Sequence, residues 1–205
     1  YIDGYLKWIN PATGRIHPDL LPMGTDTGRF ASRRPNLQNM PRKGSDPIGV
    51  RQFVVAPEGT SFLDFDFSQI ELRVAAQITR ERRMLEAYRN GTDLHGLTAS
   101  LILGKPLASV SREERQYAKA VNFGLIYAMG AEGLRLSARQ SYGVEMTHEE
   151  AERFRRLFFE AYPSIREWHA SLSRRRCPEG RTLTGRRYSF PQWYGLPAHS
   201  NAPVQ

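Results

Sequence analysis

Ser61-Phe62-Leu63-Asp64-Phe65-Asp66-Phe67-Ser68-Gln69-Ile70-Glu71-Leu72-Arg73 changes character in its middle. As far as Phe67 the stretch is dominated by large apolar residues broken by two carboxylates, the composition of a strand. From Ser68 to residue 89 apolar groups recur at mixed spacings of three and four, with no Gly or Pro, which predicts helix. The fold class turns on this switch: β-type structure before it, helices after it.

Upstream, short β-type runs alternate with turn residues. Tyr5-Leu6-Lys7-Trp8-Ile9 and Arg15-Ile16-His17 flank Asn10-Pro11-Ala12-Thr13-Gly14, a hairpin loop by length and composition. Arg51-Gln52-Phe53-Val54-Val55 is a further strand, separated from Ser61–Phe67 by the turn Ala56-Pro57-Glu58-Gly59. A small antiparallel sheet over residues 1–67 is the expectation. Downstream, Ser111-Arg112-Glu113-Glu114 fits a capping box, and a further helix begins at Thr147 with Glu149 and Glu150 at its positive dipole end. Arg181-Thr182-Leu183-Thr184-Gly185-Arg186-Arg187-Tyr188 reads as a basic hairpin. The whole is α+β, a sheet followed by a mostly helical part.

Chemistry can sit in three places. Asp64 and Asp66 alternate along the expected strand and so share one face. A carboxylate among Phe and Leu is costly to bury unpaired, and a divalent cation offsets that cost. An Asp-x-Asp also serves sugar-nucleotide transferases, or is simply a solvated edge, so it does not choose a substrate. The helix from Ser111 places Arg115, Lys119, Phe123 and Tyr127 four apart along one slowly turning stripe. Neither cation has an acidic neighbour at helical spacing. Two cations followed by two aromatics suit a polyphosphate at one end and a flat base at the other, although a solvated basic face running into a core face reads equally well. Arg29, Arg33, Arg34, Asn36, Gln38, Asn39, Arg42 and Lys43 gather in a Pro-punctuated loop, where cations can neutralise phosphates and amides can read base edges.

Composition sets the limits. In 205 residues there are 29 Lys and Arg against 21 Asp and Glu, a net charge of +8 that favours an anionic partner, either nucleic acid or a membrane surface. No run approaches the ~18 apolar residues of a membrane span. The single cysteine, Cys177, excludes an internal disulfide framework and fits a reducing compartment. No phosphate-loop glycine motif and no His-Glu-x-x-His occurs, and the five histidines lack metal-ligand spacing.

Asp66-Phe67-Ser68-Gln69-Ile70-Glu71-Leu72-Arg73 closely resembles the first catalytic motif of family A DNA polymerases, the DNA polymerase I type. The stripe Arg115, Lys119, Phe123-Gly124 and Tyr127 is similar to the second motif, on that family's fingers helix. Thr27-Gly28-Arg29 with Pro35-Asn36-Leu37-Gln38-Asn39 resembles the lead into the first motif, and Asn201-Ala202-Pro203-Val204-Gln205 the start of the helix after the fingers. The four stretches stand in the family's order.

The resemblance implies a partial palm over 1–74 carrying the first motif, fingers over 75–200, and the start of a return to the palm at 201–205. It implies DNA-directed DNA synthesis in replication or repair, with a primer 3′-hydroxyl attacking the α-phosphate of a paired dNTP beside two Mg²⁺ ions. Asp66 and the Phe67 carbonyl would hold metal. Lys119 would join Asp66 in catalysis, gripping the triphosphate with Arg115 and protonating pyrophosphate. Phe123 would stack on sugar and base, Tyr127 would lie near the templating base, and Glu71 would exclude a 2′-hydroxyl. Gln69 and His95 complete the dNTP set, while Arg29, Asn36, Asn39 and Gln205 would face DNA. Primer-template DNA and dNTP are the implied partners of a monomer without a membrane anchor, in bacterial or phage-like cytoplasm or another DNA-containing compartment.

Four departures from the family pattern stand out: Phe67 for the usual Tyr, Asp64 for an apolar residue, Arg34 for a common Asp, and Ala128 for the Gly after Tyr127. The sequence also stops before the family's third motif, His-Asp-Glu, and reads as a segment of a longer chain. One carboxylate holds a two-metal centre poorly, so the expectation is that this stretch alone is inactive. The competing readings are a catalytically dead nucleic-acid-binding relative and a metal-dependent sugar-nucleotide transferase.

Overall fold

The structure, a computed structural model, describes residues 2–25, 27–41 and 48–205. By its internal contacts the chain divides into two units, Tyr1–Phe67 and Ser68–Gln205.

In the first unit a short helix, α1 (Ile2–Leu6), precedes a two-stranded antiparallel ribbon of β1 (Asp19–Leu21) and β2 (Ala31–Arg33). Asp19 lies opposite Arg33 in the register, and its carboxylate accepts from Arg33 Nε at 3.3 Å and Arg34 Nε at 2.8 Å. Hydrogen bonding from Arg34, then Arg33, holds the Asp19 carboxyl below its ordinary range. Two 3₁₀ turns follow, Leu37–Asn39 and Val50–Phe53.

The expected strands fare unevenly here. Tyr5 and Leu6 are helical rather than extended, and the Asn10–Gly14 turn closes on a single bridge between Ile9 and Ile16. Residues 51–53 are a 3₁₀ turn, and 61–67 run without a strand partner among the described residues. Composition reports a preference for extended backbone, whereas a strand exists only when another backbone pairs with it. Phe62, Leu63, Phe65 and Phe67 are accordingly exposed. The ribbon that does form uses segments with no β-type run. Arg42 and Lys43 of the basic loop lie outside the described residues.

The second unit is helical: α2 (Ile70–Thr79), α3 (Arg82–Arg89), α4 (Leu94–Leu103), α5 (Arg112–Ile126), α6 (Ala131–Tyr142), α7 (His148–Ala161), α8 (Pro163–Arg175) and α9 (Leu196–Asn201). Between α8 and α9, β3 (Glu179–Arg181) and β4 (Arg187–Ser189) form the basic hairpin read from the sequence. The helical run expected from residue 68 breaks at Arg80, whose φ of +54° ends α2. Both expected capping boxes form, Ser111 with Glu114 and Thr147 with Glu150. Leu72, Leu94, Val121, Leu125, Leu134, Phe158, Tyr162 and Ile165 make the core, with α5 packed among α2, α4, α6 and α7. Gly124 lets α6 approach α5, since a Cβ there would stand 2.8 Å from Leu134 Cδ1.

No described helix is long and apolar enough to cross a membrane.

Candidate nucleotide site on the α5 face

The site is built on α5. Its start is fixed by the Ser111 box, in which the Ser111 N–H donates to Glu114 Oε2 at 2.7 Å and the Glu114 N–H to Ser111 Oγ at 3.2 Å. One face is buried through Ala118, Val121, Asn122, Leu125 and Ile126. Arg115, Lys119, Phe123 and Tyr127 lie half-buried along the adjoining stripe. The core therefore seats the backbone of α5 while the four side chains still meet solvent.

Arg115 is not an unneutralised cation. Its Nε and Nη2 donate to the two oxygens of Asp93 at 2.6 and 2.9 Å. Searching at helical spacing misses this partner because Asp93 is the N-cap of α4, where Oδ2 also accepts from the Gly96 N–H at 2.9 Å. Burial raises the Asp93 carboxyl, but the Arg115 guanidinium and the Gly96 N–H outweigh it and hold it below its ordinary value. A side-on pair of this kind uses Nε and one Nη2 proton, leaving the Nη1–Nη2 edge as a fork for another anion.

His95, one residue into α4, is buried, and its Nδ1 lies 2.9 Å from Asn122 Nδ2. The Asn122 oxygen faces Thr98 Oγ1 at 3.0 Å, so the amide nitrogen points at the imidazole and Nδ1 accepts. Burial first, then the nearby Arg115 and Lys119 charges, lower the His95 pKa to about 4. At neutral pH the ring is therefore uncharged and carries its proton on Nε2.

Phe123 lies between His95 and Tyr142, with ring centroids 5.9 and 6.5 Å away, the latter stacked at 16°. Lys119 Nζ stands 5.7 Å from the Tyr142 centroid, a cation–π distance. At the far end of the stripe Tyr127 donates to Glu71 Oε2 at 2.6 Å. Gln205 Nε2 donates to Glu71 Oε1 at 3.1 Å and lies 3.3 Å from the Tyr127 oxygen. Ala128, next to Tyr127, adopts φ +58°, a left-handed conformation that costs a residue with a Cβ about 1 kcal/mol. Gln69, at φ +55°, caps α2 and accepts from the Tyr88 hydroxyl at 3.3 Å.

Arg115, Lys119, Phe123, Tyr127, His95, Glu71, Gln69 and Gln205 thus belong to one unit, where Glu71, Tyr127 and Gln205 are directly bonded. Asp66, Phe67, Arg29, Asn36 and Asn39 belong to the other. There Asp64 and Asp66 are exposed, and the Asn36 side chain caps its 3₁₀ turn by accepting from the Gln38 N–H at 3.0 Å. No three described His, Cys, Asp or Glu side chains cluster as a metal site. Sequence reasoning missed Asn122, which orients His95, and Tyr142, which stacks on Phe123. Neither carries a local signal, because each acts across a helix–helix contact.

The family model described as DNA polymerase family A matches residues 1–201. DNA polymerase I of Aquifex aeolicus is 43% identical over 180 residues, covering 86% of this chain and 30% of that protein. The Pseudomonas aeruginosa DNA polymerase I is 40% identical over 194 residues, covering 94% of this chain and 21% of its own length. The solved POL domain of Pol1 from M. smegmatis, in complex with DNA primer-template and dNTP, superposes with a TM-score of 0.82 at 29% identity. That match covers 99% of this chain and 37% of the other. The chain spans between a fifth and a third of the length of these curated relatives.

Proposed function

The chain belongs to DNA polymerase family A, and from that premise we propose that its protein performs template-directed DNA synthesis, transferring a deoxynucleotide from dNTP to a primer 3′-hydroxyl. The observation that carries this reading is the α5 stripe, two cations and two aromatics in series on a helix seated by its other face. Residues 1–74 act as part of the palm, 75–200 as fingers and 201–205 as the start of the return to the palm.

In the proposed reaction the primer oxygen forms a bond to the α-phosphorus while the bond from that phosphorus to the pyrophosphate oxygen breaks. Arg115, held side-on by Asp93, offers its remaining fork to the triphosphate. Lys119 neutralises the same chain of phosphates and gives a proton to the departing pyrophosphate. His95, neutral and protonated on Nε2, donates a hydrogen bond to phosphate without adding charge. Phe123 packs against sugar and base. Glu71, tied to Tyr127 and Gln205, closes the space beside C2′, so a ribose hydroxyl meets a carboxylate that is already bonded. Arg29, Asn36 and Asn39 face the DNA.

Divalent metal fits the donors present, since the exposed Asp66 carboxylate and the Phe67 carbonyl are hard oxygen ligands. Two Mg²⁺ ions, when bound, would acidify the primer hydroxyl and offset charge on the leaving group. Asp66 and Phe67 are the residues of this chain that would hold them.

Primer extension by the natural protein tests the reading, with Asp66→Ala and Lys119→Ala beside it. Lys119→Ala is expected to slow incorporation by orders of magnitude while duplex binding stays largely intact. Equal loss of both in a folded variant would remove the role of Lys119. Extension that survives Asp66→Ala would remove the metal assignment. No extension from a folded, DNA-binding protein would favour a dead relative.

A further inference from the structure

A second concavity, of about 540 Å³, lies within the helical unit and shares no residue with the α5 stripe. Its walls come from the end of α2, from α8, from the β3–β4 hairpin and from the start of α9. Arg80, Arg175 and Arg181 line it together with Trp168, Trp193 and His199.

The electrostatic balance at this place is positive. The side chains of Arg80 and Arg175 make no hydrogen bond or ion pair with any described residue, and that of Arg181 spends only Nη1, on the Gly185 carbonyl at 2.9 Å. Two helices end here, Arg80 capping α2 and Arg175 closing α8. Their combined partial charge of about −1 offsets one guanidinium of the three. Glu179, also in the wall, is occupied by Arg187 at 3.6 Å. Exposed Arg174 and Arg176 flank Arg175 and add to the surplus.

The rest of the wall is aromatic. Trp193 stacks on His199 with centroids 4.0 Å apart and planes within 10°. His199 is buried, its burial lowers the imidazole pKa, and its Nε2 has no hydrogen-bond partner among the described residues. Guanidinium forks beside indole rings recognise phosphate joined to a flat base. We propose that this concavity is a second site for a phosphorylated nucleoside, either a free nucleotide or one unit of a single DNA strand, separate from the dNTP site on α5.

Cys177 lies at the edge of the concavity, is exposed and is the sole cysteine of the chain, so it accepts an environment-sensitive fluorophore. The labelled chain, carrying Lys119→Ala to weaken the α5 site, is titrated in EDTA with dTTP and with a twelve-nucleotide oligothymidylate. Both are expected to move the signal. The double substitution Arg80→Ala/Arg181→Ala should weaken binding at least tenfold, and for the oligonucleotide should lower the slope of log K against log salt by about 1.4. Arg80→Lys/Arg181→Lys, which keeps the charge, should restore that slope, and Arg166→Ala on the exposed side of α8 should change neither quantity. A mononucleotide that competes fully identifies the free-nucleotide source, whereas an oligonucleotide that it cannot displace identifies the strand. The proposal is overturned if neither ligand moves the signal, if the double variant binds as Arg166→Ala does, or if inorganic triphosphate competes as well as dTTP.

Discussion

His95 shows how one position can be both structural and poised for function. Its Nδ1 is bonded to Asn122 and its pKa lies at about 4, against 6.5 for an unperturbed imidazole. Because the folded value is the lower one, the unfolded chain binds more protons wherever the pH lies between the two, so stability rises with pH across that window. The contribution is fully present above pH ~6.5 and is lost as the pH falls toward ~4, on the order of 3 kcal/mol in all. His169 and His199 are shifted the same way by burial and add to the slope. Urea unfolding at pH 7.5 and 5 is therefore expected to show a smaller loss of stability in His95→Asn, which keeps an acceptor toward Asn122, than in the unsubstituted chain. An unchanged loss would mean that His95 is already accessible to protons in the fold.

At the scale of elements, Glu81 joins two helices that are distant in sequence. Its carboxylate accepts from the Arg83 N–H at 3.3 Å, capping α3, and from the Ser164 N–H at 3.0 Å, in the first turn of α8. Tyr162, the residue before α8, supplies no side-chain cap of its own. Losing two caps costs about 2 kcal/mol, so Glu81→Ala should lower the urea midpoint by about twice as much as Ser111→Ala, which removes one. Equal shifts would show that the bond to Ser164 contributes little. The contrast also marks what the sequence made legible. Ser111–Glu114 and Thr147–Glu150 were readable because both partners lie within one turn, and the α5 stripe because helical spacing is local. Glu81 with Ser164, Arg115 with Asp93, and Phe123 with Tyr142 were not, since nothing local tells which helix ends or faces will meet. The β-type runs before residue 68 misled for the related reason that pairing is non-local. Glu71 and Gln205 entered the candidate site through resemblance to a family and Tyr127 through the helical stripe, and only the structure shows the three bonded to one another.

For the whole molecule, the division of the core decides how stability is distributed. Val50 and Pro35 are the apolar residues of the first unit that are buried among the described residues, whereas the buried apolar side chains from Leu72 to Val204 belong to the helical unit. Phe53, Phe62, Leu63, Phe65 and Phe67 are exposed instead. A unit that leaves its aromatics in water lacks the burial that offsets the entropy of ordering its backbone, about 1–2 kcal/mol per residue. The helical unit has the helices, the caps and the packed interior to fold by itself. Residues 68–205 made as a separate polypeptide should therefore unfold cooperatively, with a Tm within a few degrees of the 205-residue chain. Residues 1–67 made alone should show neither a calorimetric transition nor slow amide exchange. A cooperative transition in 1–67, or a helical unit that fails to fold without it, would show that the first unit carries stability its burial does not reveal. If the expected pattern holds, Arg115, Lys119 and Phe123 sit on a platform that is rigid before DNA or nucleotide arrives, whereas Asp66 sits on an exposed segment of the unit with little buried apolar surface. The two units would then respond differently to ligand: dNTP alone should slow amide exchange around α5 and leave 61–67 unprotected.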